Sequence, residues 1–244
     1  MSWCDKLYSV PTVGVRLSSK LLTNDSKLTA LMPMLEKYAG DLKREFEVKR
    51  SDAFSLSISL EDGFTYGIDD KRISVGFTHR VAVQQVSGGL PKLQFTSSVR
   101  PYTEMVKDCC DRLISIFDYL PGMNEREIHR IGVVTNTTVE LADAPPGLRR
   151  FTDHFMGLWE AVPALALQVA ADVDKNDRWI DRCNHSIVIS EDRSMVPQFS
   201  FDWQRIFEKP PQYRQQEFSR SLKLCVDGAL GYFEFIGEQG LKDV

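Results

Sequence analysis

The side chains most able to bind a ligand gather in two short stretches. The first opens the segment from 130 to 141, where His129, Arg130 and Asn136 lie together. An arginine placed there can fork onto a carboxylate or a phosphate through two parallel hydrogen bonds. The second is Phe201-Asp202-Trp203-Gln204-Arg205. Strand alternation sets Asp202 opposite Phe201 and Trp203, so it can meet Arg205 or cap the following turn. Each also has an ordinary structural use, as a surface ion pair or a local cap. His129, Arg130, Asn136, Asp202 and Arg205 are therefore the candidate binding residues, and none is assigned a catalytic role.

Reaction chemistry would need more than these. Neither a G-x-x-x-x-G-K-[ST] loop nor a G-x-G-x-x-G turn occurs to cradle phosphates, and Ser87-Gly88-Gly89 reads as a hairpin turn. Cys183-Asn184-His185 is the only compact metal-ligand candidate, without any C-x-x-C or H-E-x-x-H, and His79, His129 and His154 are far apart. No metal or cofactor is expected. No G-x-S-x-G elbow is present, and Cys109, Cys110 and Cys225 occupy or adjoin apolar helix faces, as core cysteines do. The run Asp172, Asp174, Asp177, Asp181 with Lys175 and Arg178 is the one place from which a metal-dependent nuclease could be assembled. It lacks the glycine and terminal glutamate of a calcium loop, and reads first as a solvated charged turn.

Composition narrows the class. With 244 residues, 43% hydrophobic and 26% charged, the chain is long enough for one large domain or two small lobes sharing a core. A net charge of −4 argues against a protein that coats nucleic acid, which needs many cations to displace phosphate counterions, although a local basic patch stays open. Residues 1–15 lack a secretory pattern, and no run of about 18 apolar residues appears, so a cytoplasmic protein without a membrane span is expected. Five cysteines, an odd number with a vicinal pair, speak against a disulfide framework.

Elements that could position the candidates follow from periodicity. Ile131, Val133, Thr135, Thr137, Val139 and Leu141 fall on one face at period two, against Arg130, Gly132, Val134, Asn136, Thr138 and Glu140, which predicts a strand with one buried side. A first strand is expected within 10–22, where Pro11 suits an edge, and a helix within 27–46 with Pro33 near its start. Phe54 to Leu60, Phe64 to Ile68 and Ile73 to Phe77 read as a three-stranded antiparallel meander, and 81–99 adds one or two strands. Helices are expected over 102–120 and 151–171, the latter kinked at Pro163, and along the stripe from Phe218 to Ile236. Ile187 to Ser190 and Val196 to Trp203 read as paired strands around Glu191-Asp192-Arg193. Pro145-Pro146-Gly147 marks an internal boundary between a larger α+β lobe, 1–142, and a smaller one, 150–244. Both lobes share a helix-then-strand rhythm, a weak hint of duplication. The expected class is α+β, two lobes of antiparallel or mixed sheet with packed amphipathic helices.

Three short motifs, Arg130-Ile131-Gly132, Phe199-Ser200-Phe201-Asp202 and Phe233-Glu234, together with the order of elements, carry a resemblance. The chain resembles a sporadically distributed family of uncharacterised bacterial proteins of about this length. Val134 and Thr135 stand where that family tends to carry an arginine and a tyrosine, and its second aspartate near Asp202 is missing. The resemblance implies an α+β architecture and, through patchy distribution, an accessory role such as defence against phage; it implies no reaction.

These features favour a cytoplasmic protein that binds another macromolecule, most readily a protein, as an accessory subunit of a bacterial multi-component system. The rival classes are a metal-dependent nuclease or hydrolase with a non-local carboxylate site, and a homo-oligomeric structural protein that pairs through an edge strand or the C-terminal helix.

Overall fold

Period-two burial sets two strands at the centre of the molecule. In β1 (Tyr8–Leu17) Val13, Val15 and Leu17 are buried; in β8 (Ile128–Thr138) Ile131, Val133, Thr135 and Thr137 are. The two pair antiparallel with Val13 opposite Val133 and Gly14 opposite Gly132. The computed structural model describes residues 5, 8–22, 28–52, 54–79, 81–84, 92–95, 100–138, 143–156, 165–189 and 198–239.

Outward from β1 lie β5 (Arg72–Phe77), β4 (Phe64–Asp69), β3 (Ser55–Leu60) and the edge strand β2 (Phe46–Ser51). Outward from β8 lie β11 (Gln198–Phe207), β10 (Trp179–Ile189) and the edge strand β9 (Leu165–Lys175). All nine strands are antiparallel to their neighbours. β6 (Val81–Gln84) and β7 (Lys92–Phe95) form a separate hairpin. The α+β class with an antiparallel sheet is thus observed, and the sheet runs continuously from the 1–142 segment into the 150–244 segment through the β8–β11 pair.

Helices α1 (Met32–Asp41), α2 (Tyr102–Ile116), α3 (Pro146–Met156) and α4 (Gln215–Gln239) all pack on one side of this sheet. Tyr38 of α1 shares a hydrogen bond with Tyr66 of β4 at 3.0 Å, Tyr102 of α2 with Thr135 of β8, and Tyr232 of α4 with His185 of β10 at 3.1 Å. Leu148 of α3 faces Phe199 and Phe201 across a small cavity. The stripe Phe218, Leu222, Cys225, Val226, Ala229 and Phe233 of α4 is buried as its spacing required, each large side chain contributing roughly 1.5–3 kcal/mol. No described helix is long and apolar enough to cross a membrane.

The helix-then-strand rhythm corresponds to a repeated topology. Strand, helix and meander run β1, α1, β2 to β5, and again β8, α3, β9 to β11. In both halves the meander's last strand returns to pair with the first, β5 on β1 and β11 on β8, and a helix follows, α2 or α4.

Several expectations need correction. Residues 165–171 are strand, not the end of a helix: Leu165, Leu167, Val169 and Ala171 fit period two as well as helical spacing, and β10 supplies the cross-strand partners. β2 was not expected. The helix expected from 151 begins earlier, at Pro146, since proline is tolerated in a first helical turn. β1 is central, not an edge; Pro11 lies beyond Thr12–Arg16, the stretch paired with β5, where a missing N–H costs no bond to β5. The expected turns at 87–89 and 191–193, and residues 139–141 of the central strand, lie outside the described residues.

Candidate binding site on the uncovered sheet face

Alternation along each strand sends every second residue away from the helices, and none of the four helices packs against that side. At its centre the register makes a row of arginines: Arg16 of β1 lies opposite Arg72 of β5 and opposite Arg130 of β8. Adjacent strands are about 4.8 Å apart, so the three guanidinium groups fall within reach of one ligand group. Like charges directly opposite one another destabilise a sheet, which makes the row costly as a purely structural feature.

The partners of these arginines are unequal. Arg72 Nε reaches Asp69 Oδ2 at 3.1 Å on the surface. Arg130 donates from Nη1 to Gln204 Oε1 at 2.7 Å, and Gln204 Nε2 donates onward to Asp202. Asp202 also accepts from Asn184 Nδ2 at 3.4 Å. Arg16 is exposed and has no hydrogen-bond or ion-pair partner among the described residues. Burial, then the charges of Arg16 and Arg72, hold the Arg130 guanidinium below its usual pKa, while Asp202 works the other way.

These side chains rim a depression of about 160 Å³ whose floor is Gly14, Gly132 and Ser74. The two glycines are there for different reasons. A Cβ on Gly132 would lie 2.7 Å from the Trp203 carbonyl oxygen, so the close approach of β11 demands glycine. A Cβ on Gly14 would meet its nearest atoms at 3.4 Å, an ordinary contact.

Of the five residues singled out from sequence, Arg130 and Asp202 come together here. His129 is the extra residue where the β1–β8 register shifts; it is exposed, and partial burial followed by Arg130 and Arg16 pushes its ring pKa down. Asn136 shares the face, opposite Val10 and Ser200, but lies about 20 Å along the strand from Arg130. Arg205 is on the helix-covered face. It is 8% exposed, grips both Asp181 oxygens at 2.7 and 2.6 Å, and stacks over the Trp179 ring at 4.6 Å. Arg16, Arg72 and Gln204 were not singled out, because what joins them is pairing between strands far apart in sequence.

Elsewhere the titratable groups are mostly matched. Asp172 pairs with Arg182 at 2.6 Å across β9 and β10, whereas Asp181 of the same acidic run faces the core with Arg205. Among the described residues no three His, Cys, Asp or Glu side chains converge as a metal would require. The four described cysteines are free and buried, and burial pushes the thiols of Cys110, Cys183 and Cys225 to about 12, far from a reactive thiolate. A larger depression of about 660 Å³ lies at the β2 edge beside Glu45, Glu47, Glu61 and His79, and an apolar cavity of about 110 Å³ sits under α3 and α4. Compared with family models, curated proteins and solved structures, the chain matches none.

Proposed function

We propose that this chain is a non-catalytic binding protein, an accessory subunit that receives a protein partner on the uncovered face of its sheet. The observation that carries this reading is the contrast between a face covered by four helices and one that no helix covers, with a partly unmatched arginine row at its centre. Nine strands at about 4.8 Å separation span roughly 40 Å, and the central strands run about 30 Å. That exceeds the roughly 800 Å² a standard interface takes from one partner.

The face mixes Thr12, Ser74, Asn136, Ser200 and Asn184 with Val10, Val134, Ile180, Val188 and Ile206 around the arginines, a blend of polar and apolar groups as in non-obligate protein interfaces and too polar for a lipid surface. A net charge of −4 and a basic row confined to three arginines disfavour nucleic acid as the main ligand. In this reading 1–142 and 150–244 act as two lobes that each supply half of the surface. The setting we propose, a cytoplasmic bacterial multi-component system and possible anti-phage defence, rests on the resemblance carried by Arg130-Ile131-Gly132, Phe199-Ser200-Phe201-Asp202 and Phe233-Glu234.

Site-specific photo-crosslinking in the cells that make the protein tests this. A crosslinker at Ser200 or Ser74 should give an adduct with one other protein, while one at Asp111 or Lys223 on the helix side should give none. Equal yields from the two sides would overturn the reading. An adduct at twice the chain's own mass would replace the foreign partner with a second copy.

A further inference from the structure

We infer that the arginine row of β5, β1 and β8 is a subsite for one phosphate monoester, carried by a phosphorylated side chain of the partner. The source of the phosphate rests on the proposed function; the chemistry of the subsite does not.

The first support is the number and direction of the donors. Arg72, Arg16 and Arg130 reach the depression from three adjacent strands over a floor of Gly14 and Gly132 that leaves the space between them clear. A carboxylate is flat and satisfies one guanidinium fork with its two oxygens, whereas a phosphate monoester offers three terminal oxygens pointing three ways. The geometry matches the second shape. A phosphate would also relieve the repulsion that the row carries when empty.

Pre-arrangement is the second support. Arg130 is held by Gln204, and Arg72 is held by Asp69. Arg16, between them, has no partner among the described residues and is left to close on the ligand. Two forks already oriented by partners, with one unpaired between them, lower the ordering cost of binding.

Scale separates this ligand from nucleic acid. Duplex DNA carries a charge about every 1.7 Å and needs an extended basic track. Here the basic row spans only about 10 Å across three strands; Asp69 ends it beyond Arg72, Ile206 ends it beyond Arg130, and Asp202 adds a carboxylate to the same depression. A compact dianion fits; a polymer of phosphates runs off the basic row within one or two steps.

The test is titration of the purified chain with O-phosphoserine, acetate and a 20-nucleotide single strand, followed by calorimetry and by amide shifts of β1, β5 and β8. O-phosphoserine should bind saturably, acetate much more weakly, and each of Arg16→Gln and Arg130→Gln should weaken phosphoserine binding about tenfold or more. Gly14→Val keeps every charge but fills the floor, so it should abolish binding while melting like the parent. Absence of saturable phosphoserine binding, equal binding of acetate, or tighter binding of the oligonucleotide than of phosphoserine would each overturn the subsite. A Ser200 crosslink that persists when phosphoserine does not bind would leave the partner face standing without the subsite. Phosphoserine binding with no crosslink would leave the subsite standing without the partner face.

Discussion

Along β8 one backbone presents two surfaces governed by different physics. Toward the helices, Val133 is completely buried between Val13 and Trp203 of the flanking strands, and polar groups occur chiefly as closed pairs: Ser9 with Thr137, Tyr102 with Thr135, Asp181 with Arg205. Toward the uncovered side, Arg130 and its neighbour Arg16 share one row, and Arg16 is left unmatched by any described residue. Inward, charge is closed within the chain as in Asp181–Arg205, even though the buried Trp179 and Trp203 indole N–H groups meet no acceptor among the described residues; outward, a full charge is left unmatched. That distinction, and not the mere presence of charge, separates Arg205 from Arg130.

The comparison breaks most visibly where a closed pair is opened. Arg205→Met strands the Asp181 carboxylate in the core and should cost about 3–5 kcal/mol in denaturant unfolding. The double variant Asp181→Leu with Arg205→Met should recover most of that loss. Recovery failing would mean that the pair is worth more than its hydrophobic replacement.

Neighbouring residues of one strand give a second contrast. Val133→Asp should cost on the order of 3–5 kcal/mol, because it buries an unpaired charge. Val134→Asp, one residue on and facing outward, should cost less than about 1 kcal/mol. Similar melting temperatures for the two would mean the faces are misassigned. The glycines repeat the contrast on a smaller scale: Gly132→Ala drives a Cβ against the Trp203 carbonyl and should cost about 1–3 kcal/mol, whereas Gly14→Ala should be neutral or stabilise by up to about 1 kcal/mol.

The smallest effect depends on pH. Burial holds the His185 imidazole below its ordinary 6.5, so the folded chain keeps it neutral while the unfolded chain takes up a proton as pH falls past that value. Its contribution is complete above pH 6.5 and is lost on descending toward the folded value. Thermal melts between pH 7.5 and about 5 should show this decline, flattened in His185→Gln.

Much of the covered face was legible because burial leaves a periodic trace. The alternation in β8 and in the meander placed those strands and their inward faces, except that Phe54 precedes β3 and is 81% exposed, and the stripe from Phe218 to Ile236 placed α4. Edges were less legible. β2 is largely exposed, so Glu47, Lys49 and Arg50 show no alternation, and β9 combines small and apolar residues that satisfy two periods at once. The site was half legible. Arg130 and Asp202 stood out by type within their strands, but Arg16 and Arg72 acquire meaning only through a register that joins residues 16, 72 and 130. No local spacing encodes that register.

The most direct test of the account is the reactivity of single cysteines placed on the uncovered face at Ser74, Asn184 and Ser200, labelled with a maleimide both in the purified protein and in the cells that make it. Fast labelling in the purified chain, with marked protection of these three sites in cells and none at an Asp111→Cys control on the helix side, is the expected result. Slow labelling in the purified chain, or equal rates in both settings, would contradict a face held open for a partner.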